Sequence, residues 1–551
     1  MERRRHALTS AWPLAFYMAL SLGFWGPWVL DAPRSTLLAA NDIDPSVYLW
    51  FYSWWPHALL NGLNPFDTQA IFAPDGYNLA WVTSMPGPSV VLAPVTLALG
   101  PVATFNLIAF AAPALASWTA FLLCRHVGAR TVPALIGGYL FGFSPYMLGA
   151  LTGAPQLALV ALVPIFALLA LRHVEGSLAD RRFVMAMTAA LTAQIYVSTE
   201  VLATAALFGG LTLAGAYLLA PELRAALRRT IVLLSLSLAT TALLAAPLLF
   251  YVLFEAGTLP EHALAEYPAD LLSFAVPGAL VAMSPERIGA TVPTWAAGST
   301  YFGLPLLGLV VAFAWSYRHR LSARLSVIAF LLAALAALGS ALHVGGTKTA
   351  VPLPWGAFAE LPFLRYAIPL RFSAFAFLAG AVIVGLWLSW RPSAARWAVA
   401  LLVLVSLAPA LGRDFWHVRI SDPAFFAGDL HERFVDADDR VLTIPTSGRN
   451  MRWQARADFS FRMAAGYVGQ DPRSYTRFPI WHKLVAASAS PQAARAAATW
   501  RAELIRFVEA KGVTVILADA ATPEPLRRLF GSLVRPAEIG GVLLYRLDPA
   551  P

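Results

Sequence analysis

Long apolar runs, separated by short basic or polar segments, organise most of this chain. The opening MERRRH is basic and precedes an apolar run from Ala11 to Leu30. The length of that run predicts a retained first membrane span with a cytoplasmic N-terminus. A cleaved signal peptide ending near Leu38-Ala39-Ala40 is the other reading, and both put the next loop outside. Ten further spans are expected: Val102–Cys124, Val132–Leu148, Gln156–Leu171, Phe183–Val197, Ala203–Leu219, Ile231–Phe254, Tyr301–Trp315, Leu325–Leu342, Ile368–Trp390 and Trp397–Leu411. The run Gly87–Leu99 falls short of the roughly 20 residues a span needs, and charge settles its place. If it crossed, Arg125 and Arg130 would face outside and every later basic loop would invert. With it on the external surface, the loops carrying Arg125 and Arg130, Arg172 to Arg182, Arg224 to Arg229, Arg318 to Arg324, and Arg391 and Arg396 all fall inside.

After Gly412 the pattern changes. Charges become frequent, and short strand-like runs (Val441–Pro445, Val513–Ala518, Val542–Leu547) alternate with an amphipathic helix pattern over Gln492–Ala510. The division expected is therefore a membrane domain over 1–412 and a small external α/β domain over 413–551. No glycine-rich phosphate loop, metal-ligand spacing or internal repeat is found.

Composition agrees with a polytopic membrane protein: 58% of residues are hydrophobic and 13% charged. The net charge of +9 sits in the loops as a topology signal, so it does not argue for a nucleic-acid partner. Cys124 is the single cysteine, which excludes an intrachain disulfide.

Candidate chemistry concentrates in the first external loop, Asn41–Asn78. Asp42 and Asp44 follow the first span directly, then comes the aromatic run Tyr48, Trp50, Phe51, Tyr52, Trp54 and Trp55. Aromatic residues favour the membrane boundary, so the run predicts a helix on the bilayer surface. Asp44 could accept a proton from a hydroxyl nucleophile, or simply cap a helix that starts at Pro45. Asp42 reads as a supporting or metal-binding acid. Glu200, at the external junction of two spans, is a site acid or a solvated turn residue. Arg371, with Arg365 and Lys348, could hold a phosphate; the alternative for Arg371 is snorkelling to the interface. His57, Trp55 and Trp81 are candidate sugar contacts, set against exposure for the histidine and interfacial anchoring for the indoles. Glu261 and His262 have weaker claims. A divalent metal would have to rest on Asp42, Asp44 and Glu200 with donor phosphate oxygens.

These residues and their arrangement resemble the GT-C glycosyltransferases, which take sugars from polyprenyl-phosphate carriers. Asp44, in an Asp-Pro-x-x-Tyr run, matches the position of that class's essential acid after the first span. Trp55–Pro65 and Gly87–Leu99 match its two juxtamembrane segments, and Phe72–Trp81 looks like a stretch of bacterial membrane glycosyltransferases. The resemblance implies a cell-membrane enzyme with an external C-terminal domain. It would transfer a sugar from polyprenyl-phosphate-sugar to a hydroxyl acceptor with inversion, Asp44 as base and Arg371 on the departing phosphate. Asp42-Ile43-Asp44 departs from the Asp-Glu pair of protein O-mannosyltransferases, and Pro56 follows Trp54-Trp55 where oligosaccharyltransferases carry Asp. Those departures point to a lipid or polysaccharide acceptor. A transporter or lipid flippase with proton-coupled acids is the second reading, and a scaffold that displays the external domain a third.

Overall fold

The computed structural model describes residues 2–254, 267–284, 299–359, 361, 364–469 and 471–547. The loop residues Glu261 and His262 lie outside the described residues, as does the side chain of Arg365. The chain forms two compact units, one of residues 1–31, 106–245 and 261–416, the other of 32–105, 246–260 and 417–551.

The first unit is helical. Among the described residues five helices are long and apolar enough to cross a membrane: Pro101–His126, Pro155–Val174, Thr199–Leu219, Pro221–Leu244 and Pro369–Trp390. The bent pair Thr131–Gly142 and Pro145–Leu151 would make six. The expected eleven is not reached by this measure. Leu304–Tyr317, Leu321–Ala337 and Ala394–Ser406 are shorter apolar helices. At 1.5 Å per residue, 14 residues reach only about 21 Å of a hydrocarbon layer near 30 Å. The expected span Ile231–Phe254 also breaks, between Arg224–Leu244 and Ala246–Leu253.

Pro369–Trp390 forms the centre of this unit, with 89% of its apolar window buried against 22% for Pro221–Leu244. Its neighbour Thr131–Gly142 approaches through Gly137, where a Cβ would lie 2.8 Å from the Ala381 carbonyl oxygen. Small residues permit such contact between apolar helices, where packing supplies most of the attraction. At the far end of the central helix, Arg396 lies over the Trp387 ring at 3.7 Å and Arg320 over Trp390 at 4.4 Å. These arginines belong to two of the basic loops that the sequence sets on one side of the membrane.

The second unit joins the first loop to the C-terminal segment. Its five-stranded sheet runs in the order Ala537–Ile539, Val542–Arg546, Val515–Asp519, Arg440–Ile444, Arg462–Met463. The last three strands are parallel and the first two pair antiparallel. The three strands read from the sequence are therefore all present, and the helix expected over Gln492–Ala510 appears as a 3-10 turn Ala493–Trp500 followed by Arg501–Lys511. Gly87–Leu99 forms two short helices, Pro86–Val91 and Ala93–Leu99, neither long enough to cross. Pro94, which has no backbone N–H to continue the first of them, opens the second.

The aromatic helix, Ile43–Leu60, is not a surface anchor. Trp50, Phe51, Tyr52, Trp54 and Trp55 are buried, and the helix packs on Gly448–Arg456. Trp50 and Trp54 stack at 5.4 Å, with Phe459 edge-on to both. The Trp50 indole donates to Gln454 Oε1 at 2.8 Å. The fully buried Gln454 in turn donates to the Ala70 and Phe461 carbonyls at 2.6 and 2.9 Å. An indole needs apolar cover and one acceptor, and here protein supplies both where lipid headgroups were expected. The two helices meet at Gly448, where a Cβ would overlap the Ile43 carbonyl. Gly448→Ala should therefore lower stability by about 1–3 kcal/mol, read as a fall in the thermal midpoint of the detergent-solubilised protein.

Candidate functional site

Asp44 lies in the first turn of the Ile43–Leu60 helix, where the helix dipole favours a negative charge. It does not cap that helix. Asp42 occupies the cap position without a side-chain cap bond, and Asn41 Oδ1 instead accepts from the Ile43 N–H at 3.0 Å. The Asp44 carboxyl keeps an open face although protein crowds its other side. Burial raises its pKa above the ordinary aspartate value, and a hydrogen bond donated by the Tyr467 hydroxyl opposes that rise in part. An accessible carboxyl with an elevated pKa has the properties of a general base.

Asp42 is otherwise engaged, and is not a free supporting acid. Arg449 Nε donates to its Oδ1 at 2.9 Å, and Arg452 Nη1 lies 3.6 Å from its Oδ2. Arg452 is buried and also binds Asp422 at 2.6 Å and the Ser46 hydroxyl at 2.9 Å. This cluster fastens the start of the aromatic helix to Gly448–Arg456. None of its arginines was singled out from the sequence. Their only signal is the spacing of Arg449, Arg452 and Arg456 along one short helix.

His57 and Trp55 are remote from Asp44. Thirteen helical residues separate His57 from Asp44, about 20 Å at 1.5 Å each. His57 Nδ1 instead approaches Asp458 at 3.2 Å, with its ring against Phe459. Trp55 is buried edge-on to Phe66. Trp81 closes a 3-10 turn and is half-buried. The Pro74-Asp75-Gly76 turn is tethered by an ion pair from Asp75 to the buried Lys511, and by Tyr475 donating to the Ala73 carbonyl at 2.8 Å.

In the helical unit, Glu200 and Arg371, chosen separately from the sequence, form an ion pair at 2.5 Å. Ser198 caps Thr199–Leu219 and so sets Glu200 in its first turn. The 3-10 turn Pro369–Phe372 presents Arg371 at the start of the central helix. The pair borders a narrow hollow lined by Phe141, Tyr146, Leu157, Val160 and Phe375. Glu200 Oε1 is buried with no hydrogen-bond partner among the described residues. A guanidinium can grip an anion with two hydrogen bonds, and here Glu200 takes that place. Lys348 does not line this hollow; it is exposed on the hairpin of Ala341–Val344 and Thr347–Pro352.

Among the described residues no three His, Cys, Asp or Glu side chains gather as a metal site. Asp42 is committed to arginines and Glu200 to Arg371, so the three proposed ligands do not fit a shared ion.

No protein-family model and no curated protein matches the sequence. Solved structures match in fold. The arabinofuranosyltransferase AftD from Mycobacteria is 14% identical, with a TM-score of 0.58 over 97% of this chain and 40% of its own. This chain thus spans well under half of AftD. The Archaeoglobus fulgidus oligosaccharyltransferase in its apo form is 12% identical, with a TM-score of 0.45 over 93% of this chain and 69% of its own. In complex with an inhibitory peptide and a dolichol-phosphate, the same organism's AglB is 11% identical, also at 0.45. Those two likenesses are too loose to add to the first.

Proposed function

We propose that this chain, which has the fold of the GT-C glycosyltransferases, is a cell-membrane enzyme. It would transfer a sugar from a polyprenyl-phosphate-sugar donor to a hydroxyl of a lipid or polysaccharide acceptor on the external face. The observation that carries this reading is the Asp44 carboxyl, open to solvent yet crowded enough to have a raised pKa, at the start of the first-loop helix. The acceptor oxygen attacks the anomeric carbon, Asp44 takes its proton, and the bond to the donor phosphate breaks on the opposite side with inversion. The polyprenyl phosphate leaves with increased negative charge, and Arg371 stabilises it. Glu200 holds the guanidinium in the meantime. In this reading residues 413–551 form an external domain and the N-terminus is cytoplasmic.

The test is transfer from a synthetic short-chain polyprenyl-phosphate-sugar by the purified protein in nanodiscs, with the product's anomeric configuration read by NMR. No transfer from any donor of this class, or transfer with retention, would sink the proposal. Arg371→Gln should raise the donor KM roughly tenfold to a hundredfold, the value of a charge-assisted hydrogen bond. Glu200→Gln should have a smaller effect, since the cation remains. A carrier or flippase has less support. It needs an intramembrane acid free to couple protons, whereas Glu200 is paired with Arg371.

A further inference from the structure

The far end of the central helix carries a patch of positive charge with nothing to offset it. Four helices pack together there through two short connections: Leu304–Tyr317 leads to Leu321–Ala337, and Ser373–Trp390 to Ala394–Ser406. The connections and the turns after them carry Arg318, Arg320, Arg324, Arg391 and Arg396. Aromatic rings tie the two connections to each other. Arg320 lies over Trp390 at 4.4 Å, and Arg396 donates to the Tyr317 hydroxyl at 2.9 Å and the Trp387 carbonyl at 2.8 Å. Both guanidiniums lie 5.6 Å from the Tyr317 ring centroid, so two like charges share one ring.

No carboxylate balances them. Positions 287 to 413 contain one acid, Glu360, which precedes the central helix in sequence. Among the described residues no acid pairs with any of the five arginines. Other basic connections of this unit differ: Arg229 pairs with Asp180 at 2.5 Å, and His126 faces Glu175 at 2.9 Å. Membrane orientation does not demand the difference, because acids weigh little in that rule. The helix ends add to the charge. Leu321–Ala337 and Ala394–Ser406 both begin here, with no acid in the first turn of either. A helix start already carries partial positive charge, and Arg320, Arg324 and Arg396 stand where anions are favoured.

The flanks identify the kind of anion. Trp315 is 75% exposed, and Val311, Leu401 and Leu402 on the same helices are exposed too. Lipid covers such side chains in a membrane protein, and an indole at the end of an apolar helix marks the headgroup level. We propose that this patch binds the phosphate of an anionic membrane lipid, with the exposed Arg318, Arg320, Arg324 and Arg391 as its contacts. Guanidinium forks match phosphate oxygens, and the tethered Arg396 fixes the connections that present them. Arg371 lies 19 helical residues from Trp390, about 28 Å at 1.5 Å each. The lipid site is therefore separate from the Glu200–Arg371 hollow, and it does not rest on the sugar-transfer reading.

Dioleoyl-phosphatidylglycerol added to the detergent-solubilised protein should raise its thermal midpoint, and phosphatidylcholine at the same concentration should not. The double variant Arg320→Gln, Arg391→Gln should bind phosphatidylglycerol roughly tenfold more weakly or worse. Arg229→Gln, in a connection that has its own acid, should bind it as the wild type does. If the double variant fails to fold, the wild type alone decides the matter. Photoactivatable phosphatidylglycerol should then label peptides 318–324 and 391–397, and label spread evenly over the apolar surface would overturn the proposal. Equal shifts from the two lipids, or an affinity that survives loss of both arginines, would do the same. An equal rise with inorganic phosphate would make the ligand a free anion. A rise with polyglutamate but not with the lipid would make it an acidic protein, and either result sinks the lipid assignment.

Discussion

Asp44→Asn should reduce sugar transfer by about 10²–10⁴-fold, the range expected when a positioned general base is lost, without weakening the fold. The two halves of this expectation have one cause. Burial raises the folded-state pKa of Asp44, so the folded protein holds the proton more tightly than the unfolded chain does. Its ionisation therefore costs stability as pH rises through the window between the ordinary aspartate value and the raised one, and the full cost is present above the raised value. Asparagine cannot ionise and avoids that cost. The thermal midpoint of the variant at pH 7 should equal or exceed that of the wild type, and any advantage should vanish below the ordinary aspartate pKa. In the wild type, transfer should decline on acidification through the raised value, at a higher pH than an unperturbed aspartate would give. An asparagine variant that keeps full turnover removes Asp44 from the chemistry. One that loses turnover together with stability makes Asp44 structural.

Arg452→Met should have the largest effect on stability, about 3–5 kcal/mol. Arg452 is buried and joins Asp42, Asp422 and the Ser46 hydroxyl. Its removal leaves two sheltered carboxylates without their shared cation, and uncompensated buried charge is what makes breaking such a cluster costly. Arg449→Met is the control. It faces the other Asp42 oxygen at 2.9 Å, but its side chain is 53% exposed. Water screens it, and its loss should cost no more than about 1 kcal/mol. Thermal unfolding and limited proteolysis of the C-terminal segment would measure both. Equal effects would mean that the cluster is not a buried clamp.

These two cases show how much the sequence could reveal. Asp44 stood out as a carboxylate directly after the first apolar run, and its role is the proposal made above. Glu200 and Arg371 were legible as polar exceptions at the ends of apolar runs, and the structure unites them. The strands of the C-terminal sheet were legible from short runs of β-branched and apolar residues. The role of the aromatic run was not. Hydrophobicity alone does not distinguish a helix covered by lipid from one covered by protein, and the helix that covers this one lies some 400 residues away. Arg452 and Gln454 were hidden for the same reason. Each acts on a residue from the other end of the chain, and no local pattern records that meeting. The span count is not confirmed for a different reason: proline and glycine break several apolar runs into pieces that composition reads as whole.

The first loop completes its core with residues that the ribosome makes about 400 positions later. Thr36–Leu37 pairs with Val418–Arg419, and the final strand of the same unit ends at Arg546. At about 5–20 residues per second, the tryptophans of the first loop wait on the order of half a minute for their cover. Over that interval they are a target for chaperones and membrane proteases. Quality control could thus sense at the first loop whether the downstream segment has been made and packed.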